Sequence, residues 1–105
     1  SLPWERAKAF NKSAVFSEFV DIEDTKNLEM KLYINNTLTQ HATYELMIYK
    51  PNEILEEILT FMDLEDGDII MSGTPKGIGY YKKGDVFRFE LFNNTKILEK
   101  EFIVK

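Results

Sequence analysis

The sequence predicts an α+β fold in which β-strands dominate and one helix lies near the middle of the chain. Apolar and polar residues alternate in two stretches, residues 28–35 and 86–92, and each stretch runs into an Asn-Asn pair typical of a tight turn. Between these stretches, residues 53–62 carry apolar side chains at helical spacing. Two hairpins separated by a helix are therefore expected.

The first hairpin is predicted from residues 28–43. Apolar side chains occupy the even-numbered positions of residues 28–35, and mostly polar ones occupy the odd-numbered positions, which predicts a half-buried strand. Asn35 and Asn36 form a plausible turn because asparagine tolerates the left-handed backbone conformation. Residues 37–43 would then return antiparallel.

The central helix is predicted to begin at Asn52, which is a good N-cap. Glu53 lies in the first turn, where its negative charge suits the helix dipole. Apolar residues then recur at helical spacing, and the helix is expected to end near Asp63.

The second hairpin repeats the pattern of the first. Residues 86–92 alternate between apolar and polar side chains, and Asn93 and Asn94 supply the turn. Residues 95–104 are expected to close the hairpin.

All five glycines of the chain fall between Gly67 and Gly84, which indicates several sharp turns in one segment. The apolar run from Ile69 to Met71 is too short for a helix and is bounded by glycine, so it is predicted to be a buried strand. Residues 73–79 are then a loop that leaves the end of that strand. Binding groups are commonly placed on loops that a rigid strand holds in position.

This segment resembles the signature of the fumarylacetoacetate hydrolase family. Residues 67–79 match Gly-Asp-Ile-Ile-x-Ser-Gly-Thr-Pro-x-Gly-Ile-Gly, and Gly84-Asp85 supplies the second Gly-Asp of the family. Near the start of the chain, residues 4–10 match the family's Trp-x-x-Ala-Lys-x-Phe pattern. The resemblance implies a β-roll of mixed sheets with one central helix. It also implies that residues 1–105 are the C-terminal portion of the catalytic domain and that the N-terminal portion is absent from this chain.

The resemblance implies roles for three residues. Lys8 is expected to be catalytic and to point into the active site, and Gly73 and Thr74 are expected to bind the substrate, typically through its carboxylate. A hydroxyl and adjacent amides at a glycine turn suit an anionic oxygen. In the family, a divalent metal, Mg²⁺ or Mn²⁺, chelates the oxygens of a keto acid. Its carboxylate ligands lie upstream of the tryptophan, so no metal ligand is expected in this chain.

The implied function is that of a metal-dependent hydrolase, isomerase or decarboxylase of small 1,3-dicarbonyl or 2-keto acids, working as a homodimer in the cytoplasm. The alternative is a non-catalytic β-roll that serves as a binding or oligomerisation module, because catalysis by 105 residues alone would require metal ligands that this sequence lacks. The coding sequence upstream of Ser1 discriminates between them. A Glu-x-Glu pair followed by an Asp before Trp4 would favour the enzyme.

Composition argues against several other classes of partner. The net charge of −5 disfavours nucleic acid and anionic membranes. The chain has no cysteine, so it forms no disulfide and no cysteine-ligated zinc site. No apolar run approaches the length of a membrane span, and no membrane partner is expected.

Three other motifs do not fit the sequence. The glycine-rich loop is not a Walker loop, because Lys76 is followed by Gly77 and not by serine or threonine. The acidic residues that flank Gly67 do not form a calcium loop, because aligning this glycine with the turn position places apolar residues at ligand positions. His41 has no supporting motif for a serine triad, and both His41 and Gln40 are expected to be ordinary strand or hairpin residues.

Overall fold

The computed structural model describes residue 11, residues 16–77 and residues 80–105. Its main element is one four-stranded sheet with the strand order β2-β1-β3-β4. The elements are β1 (Leu28–Ile34), β2 (Thr37–Thr43), helix α1 (Pro51–Leu59), β3 (Val86–Asn93) and β4 (Thr95–Ile103). The fold is α+β with β-strands dominating, as the sequence predicts. Every strand pairing in the described part is antiparallel, whereas the resemblance implied mixed sheets.

Both predicted hairpins are confirmed, although Asn93 belongs to β3 and only Asn94 lies in the second turn. Asn35 and Asn36 have positive φ angles of 51° and 67°, and Asn94 has a φ of 69°. Asparagine is favoured in this left-handed region because its short polar side chain bonds locally. Each strand that follows a turn pairs antiparallel with the strand before it, so β1–β2 and β3–β4 are the two hairpins.

A polar clasp joins the two hairpins at the end of the β1–β3 pair. Asn35 donates a hydrogen bond of 2.9 Å to the Asp85 carboxylate and accepts one of 2.9 Å from the Val86 amide. Asp85 is only 7% exposed and also accepts a bond from the Lys82 amide. The bond from Asn35, and then that from Lys82, hold the pKa of the Asp85 carboxyl below its ordinary value. The second Gly-Asp of the signature therefore joins the two hairpins at this end of the sheet.

One face of the sheet is charged, and several of its charges form ion pairs with one another. Glu90 is 7% exposed, accepts a hydrogen bond of 2.9 Å from Lys96 and lies 3.6 Å from Arg88. The bond from Lys96 is the main reason that the pKa of the Glu90 carboxyl lies below its ordinary value. The Arg88 guanidinium also lies 4.3 Å from the centre of the Tyr33 ring, in a cation–π contact.

The opposite face of the sheet is apolar, and the described residues cover it incompletely. Residues paired across β1 and β3 form it: Met30, Leu32, Ile34, Phe87, Phe89 and Leu91. No hydrophobic side chain among the described residues is buried. The accessible surface is 9181 Å², against about 6100 Å² expected for a compact monomer of this mass. The described residues therefore leave this apolar face open to solvent.

The helix differs from its prediction at both ends. It begins at Pro51 with Lys50 as the N-cap, so Asn52 lies inside the first turn. Proline suits the first helical position because its φ is already helical and it has no N–H group to leave unpaired. The helix ends at Leu59 and does not reach Asp63. Among the described residues there is no helix that could span a bilayer.

The prediction of a buried strand from Ile69 to Met71 is wrong. These residues belong to no strand, and the exposed fractions of Ile69, Ile70 and Met71 are 51%, 39% and 78%. No backbone–backbone hydrogen bond joins residues 69–77 to another described residue. An apolar run indicates a segment that needs burial, but burial also requires a covering layer, and none of the described residues covers this one.

Candidate active site

The turn at residues 73–77, which carries part of the family signature, has a left-handed glycine at each end. Gly73 has a φ of +101° and Gly77 a φ of +124°, conformations that residues with a Cβ rarely adopt. Between them, Pro75 fixes its own φ and biases Thr74 toward an extended backbone. Glycine and proline at these positions give the turn a shape that few other residues would allow.

Two contacts hold this turn against strand β2. The side-chain amide of Gln40 donates a hydrogen bond of 3.3 Å to the Pro75 carbonyl oxygen. Gly77 lies so close to the strand that a Cβ would collide with the carbonyl oxygen of Thr39. The sequence pattern does not single out Gln40. One feature could have indicated it: Gln40 lies opposite Leu32 in the sheet, so its side-chain amide is partly buried and needs a hydrogen-bond partner.

The turn forms one wall of a cavity of about 470 Å³, a volume typical of small-molecule sites. Residues 72–75 line this wall, and Thr74 is exposed. The other walls are mostly apolar and include Met30, Ala42, Tyr44, Met47, Ile54 and Leu91. The cavity can therefore hold a small molecule that has one polar end and an apolar remainder.

A lysine braces a second wall of the cavity, which is formed by the loop at residues 44–49. Lys50 Nζ donates to the carbonyl oxygens of Tyr44 at 2.8 Å, Glu45 at 3.3 Å and Met47 at 2.7 Å. The ammonium also lies 4.8 Å from the centre of the Tyr44 ring. Because an ammonium has three N–H groups, its donors are satisfied by this loop. Lys50 therefore stabilises the wall and does not direct its donors at a ligand.

Glu29 is the one charged side chain in the cavity lining among the described residues. It forms a hydrogen-bonded pair with His41 on the next strand, and the two side chains are 35% and 41% exposed. His41 thus lies in a strand and is held by a cross-strand partner. The negative charge of Glu29 disfavours a second anion nearby, so the anionic end of a ligand is expected at Thr74.

The predicted site residues are only partly within the described structure. Gly73 and Thr74 both line the cavity, and their role in binding a substrate stays a prediction. Lys8 lies outside the described residues, so its proximity to Thr74 stays a prediction.

The described residues do not fit a divalent metal site. They contain no group of three or more histidine, aspartate or glutamate side chains that could hold a metal ion. Mg²⁺ and Mn²⁺ are bound in proteins mainly through carboxylate and other oxygen ligands, and Glu29 is the single carboxylate that these residues place in the cavity lining.

Comparison with known proteins adds to these observations. Residues 1–102 match the family model described as fumarylacetoacetate (FAA) hydrolase C-terminal. The chain is 41% identical over 87 residues to the mitochondrial oxaloacetate tautomerase FAHD1 of Bos taurus, and the match covers 80% of this chain and 39% of that protein.

Two solved structures are also similar. A fumarylacetoacetate hydrolase family protein from Yersinia pestis CO92 is 29% identical with a TM-score of 0.81, over 98% of this chain and 47% of that chain. Maleylpyruvate hydrolase from Sphingobium sp. SYK-6, in complex with manganese (II) ion and pyruvate, is 30% identical with a TM-score of 0.64, over 80% of this chain and 30% of that chain. This chain spans less than half the length of each of these relatives. It belongs to the fumarylacetoacetate hydrolase family.

Proposed function

We propose that this chain supplies the carboxylate-binding part of an active site that hydrolyses, tautomerises or decarboxylates small 2-keto or 1,3-dicarbonyl acids. The observation that supports this most is the Gly73-Thr74-Pro75 turn, which carries the family signature and lines the cavity. The relatives support the same class of substrate. Oxaloacetate and maleylpyruvate are keto acids, and the structure of the Sphingobium enzyme contains pyruvate.

In this proposal the turn binds the anionic end of the substrate. The Thr74 hydroxyl and the neighbouring amides donate hydrogen bonds to the carboxylate, because successive N–H groups at a glycine turn form a concave site for an anion. The mostly apolar walls exclude water, which strengthens the electrostatic interactions inside. The Lys8 ammonium then stabilises the enolate that develops as the keto acid reacts.

The metal is expected from outside this part of the chain. Mg²⁺ or Mn²⁺ would polarise the keto-acid oxygens in the whole enzyme. Since the described residues offer no ligand set, the ligands are expected on polypeptide beyond them. What this chain contributes is the position of the substrate's carboxylate.

We also propose that residues 1–105 are the C-terminal portion of a larger catalytic domain, and that the rest of that domain covers the apolar face of the sheet. The supporting observation is the accessible surface of 9181 Å², which exceeds that of a compact monomer by about 3000 Å². A homodimer contact is expected to cover a further part of this excess. The cytoplasmic location stays a prediction, since the bovine relative is named mitochondrial.

The experiment is a pair of substitutions at Thr74 in the intact protein, assayed with Mn²⁺ on oxaloacetate tautomerisation and on acylpyruvate cleavage. Thr74→Val keeps the shape and removes the hydroxyl, so KM should rise by about tenfold or more, as for loss of a hydrogen bond to a charged group. Thr74→Ser keeps the hydroxyl and should stay close to the native value. Equal kinetics for Thr74→Val and the native protein would refute the binding role. A protein that turns over neither substrate would favour the non-catalytic module.

A further inference from the structure

We infer that Gln40 and Gly77 are positioning residues that fix the Gly73-Thr74-Pro75 turn on strand β2 in its carboxylate-binding shape. This inference rests on the proposed function, because it assigns how the binding turn is held. It also replaces the buried strand that the sequence predicted as the anchor of this turn. Neither residue needs to touch the substrate.

Gln40 supplies the hydrogen bond on one side of Lys76. Among the described residues, the bond from Gln40 to the Pro75 carbonyl is the only hydrogen bond that residues 69–77 make. The amide is partly buried, and its position in the register pairs it with Leu32. A partly buried amide that has found one partner holds that partner in place, because breaking the bond leaves a donor unsatisfied.

Gly77 supplies the close contact on the other side of Lys76. An added Cβ would meet the Thr39 carbonyl oxygen and would lie 3.0 Å from Gln40 Cγ, and the φ of +124° already disfavours any other residue. The backbone of the turn therefore rests directly on β2 and on the side-chain stem of Gln40. Because Pro75 and Gly77 are both held against β2, the backbone that follows Thr74 is restrained, and this restrains the orientation of Thr74 relative to the cavity.

The test compares three variants of the intact protein. Gln40→Glu keeps the shape of the side chain but loses the N–H donor, and it places a carboxylate oxygen against the Pro75 carbonyl. Gln40→Met keeps the stem that packs against Gly77 and loses only the hydrogen bond. Thr39→Val is the matched control, because the Thr39 hydroxyl bonds to the exposed Thr37 carbonyl on the same strand and makes no hydrogen bond to the turn.

Two readouts separate positioning from general stability. Trypsin cleavage after Lys76, an exposed residue of the turn, should become about two- to tenfold faster in both Gln40 variants, as for loss of one neutral hydrogen bond that restrains local opening. KM for the keto acid should rise by a similar factor, with a smaller change in kcat, because binding of the carboxylate weakens in the ground state and the transition state alike. Thr39→Val should change neither quantity. Gly77→Ala should increase both quantities more than either Gln40 variant does. If the Gly77→Ala protein does not fold, the two Gln40 variants are sufficient for the test.

The outcomes distinguish this inference from the function on which it rests. Unchanged cleavage after Lys76 in Gln40→Glu overturns the positioning role, whatever the kinetics show. Faster cleavage after Lys76 with an unchanged KM upholds the positioning role and contradicts the assignment of the turn as the carboxylate site. Equal effects of Thr39→Val and Gln40→Met would mean that the strand responds to any substitution, which also overturns the inference.

Discussion

Replacing Lys50 by methionine should release one wall of the cavity without unfolding the protein. The ammonium makes three bonds to carbonyl oxygens of the loop, two of which are shorter than 3 Å. Hydrogen bonds from a charged donor contribute roughly 1.5–3 kcal/mol each to stability. Water can replace part of this at a half-exposed site, so we expect a net local loss of about 2 kcal/mol.

The measurement is hydrogen exchange of the loop amides, the Met47 amide above all, because it is bonded to the Tyr44 carbonyl. A loss of about 2 kcal/mol in local opening corresponds to exchange about 30-fold faster. Lys100→Met is the matched control, since Lys100 forms a single exposed ion pair with Glu18 and lies outside this loop. Exchange in Lys50→Met within twofold of that control would refute the reasoning.

Four further predictions concern the β3–β4 hairpin turn, the Asn35–Asp85 clasp, self-association and metal binding. Asn94→Ala should destabilise the protein by about 1 kcal/mol because of its positive φ, whereas Asn94→Gly should be nearly neutral in urea unfolding. Asp85→Asn should destabilise the protein most above pH 5 and progressively less toward pH 3. In the folded protein the pKa of the Asp85 carboxyl lies below its ordinary value of 3.8. Such a carboxylate stabilises the fold at pH values above its ordinary pKa, and this contribution is lost as the pH falls through the lowered pKa. The 105-residue chain alone should self-associate at tens of micromolar, by rough estimate for its exposed apolar face; a single monomeric species in sedimentation would contradict this. The same chain should bind Mn²⁺ only weakly, and a single micromolar site in calorimetry would contradict that.

The local elements of this fold could be predicted from the sequence because their causes are local. Alternating side chains indicated which face of β1 and of β3 is apolar, and Asn35, Asn36 and Asn94 marked the turns through their tolerance of positive φ. The pairing of β1 with β3 could not be predicted in this way. It depends on contacts between residues about 50 positions apart, such as Asn35 and Asp85, which no periodicity records.

The candidate site was predicted through its motif, and only in part. Gly73 and Thr74 lie in the cavity wall where the signature implied binding. The anchor of the turn was predicted to be a buried strand at Ile69 to Met71, but the apolar run reports a need for burial and not the presence of a covering layer. The anchor includes Gln40, whose side-chain amide bonds to a backbone carbonyl 35 residues away. A local sequence pattern cannot predict a contact at that separation.

The order of elements places the cavity's turn and braced loop in one excursion of the chain. The chain leaves the sheet after β2 and returns to it at β3, and the Asn35–Asp85 clasp closes this excursion at the end of the central β1–β3 pair. Substitutions or insertions inside it can reshape the cavity while both hairpins keep their register, since loop length adds little to the cost of closing a long loop. The sheet and this cavity-lining segment can therefore diverge at different rates. A family built on this arrangement can change substrates without redesigning its scaffold.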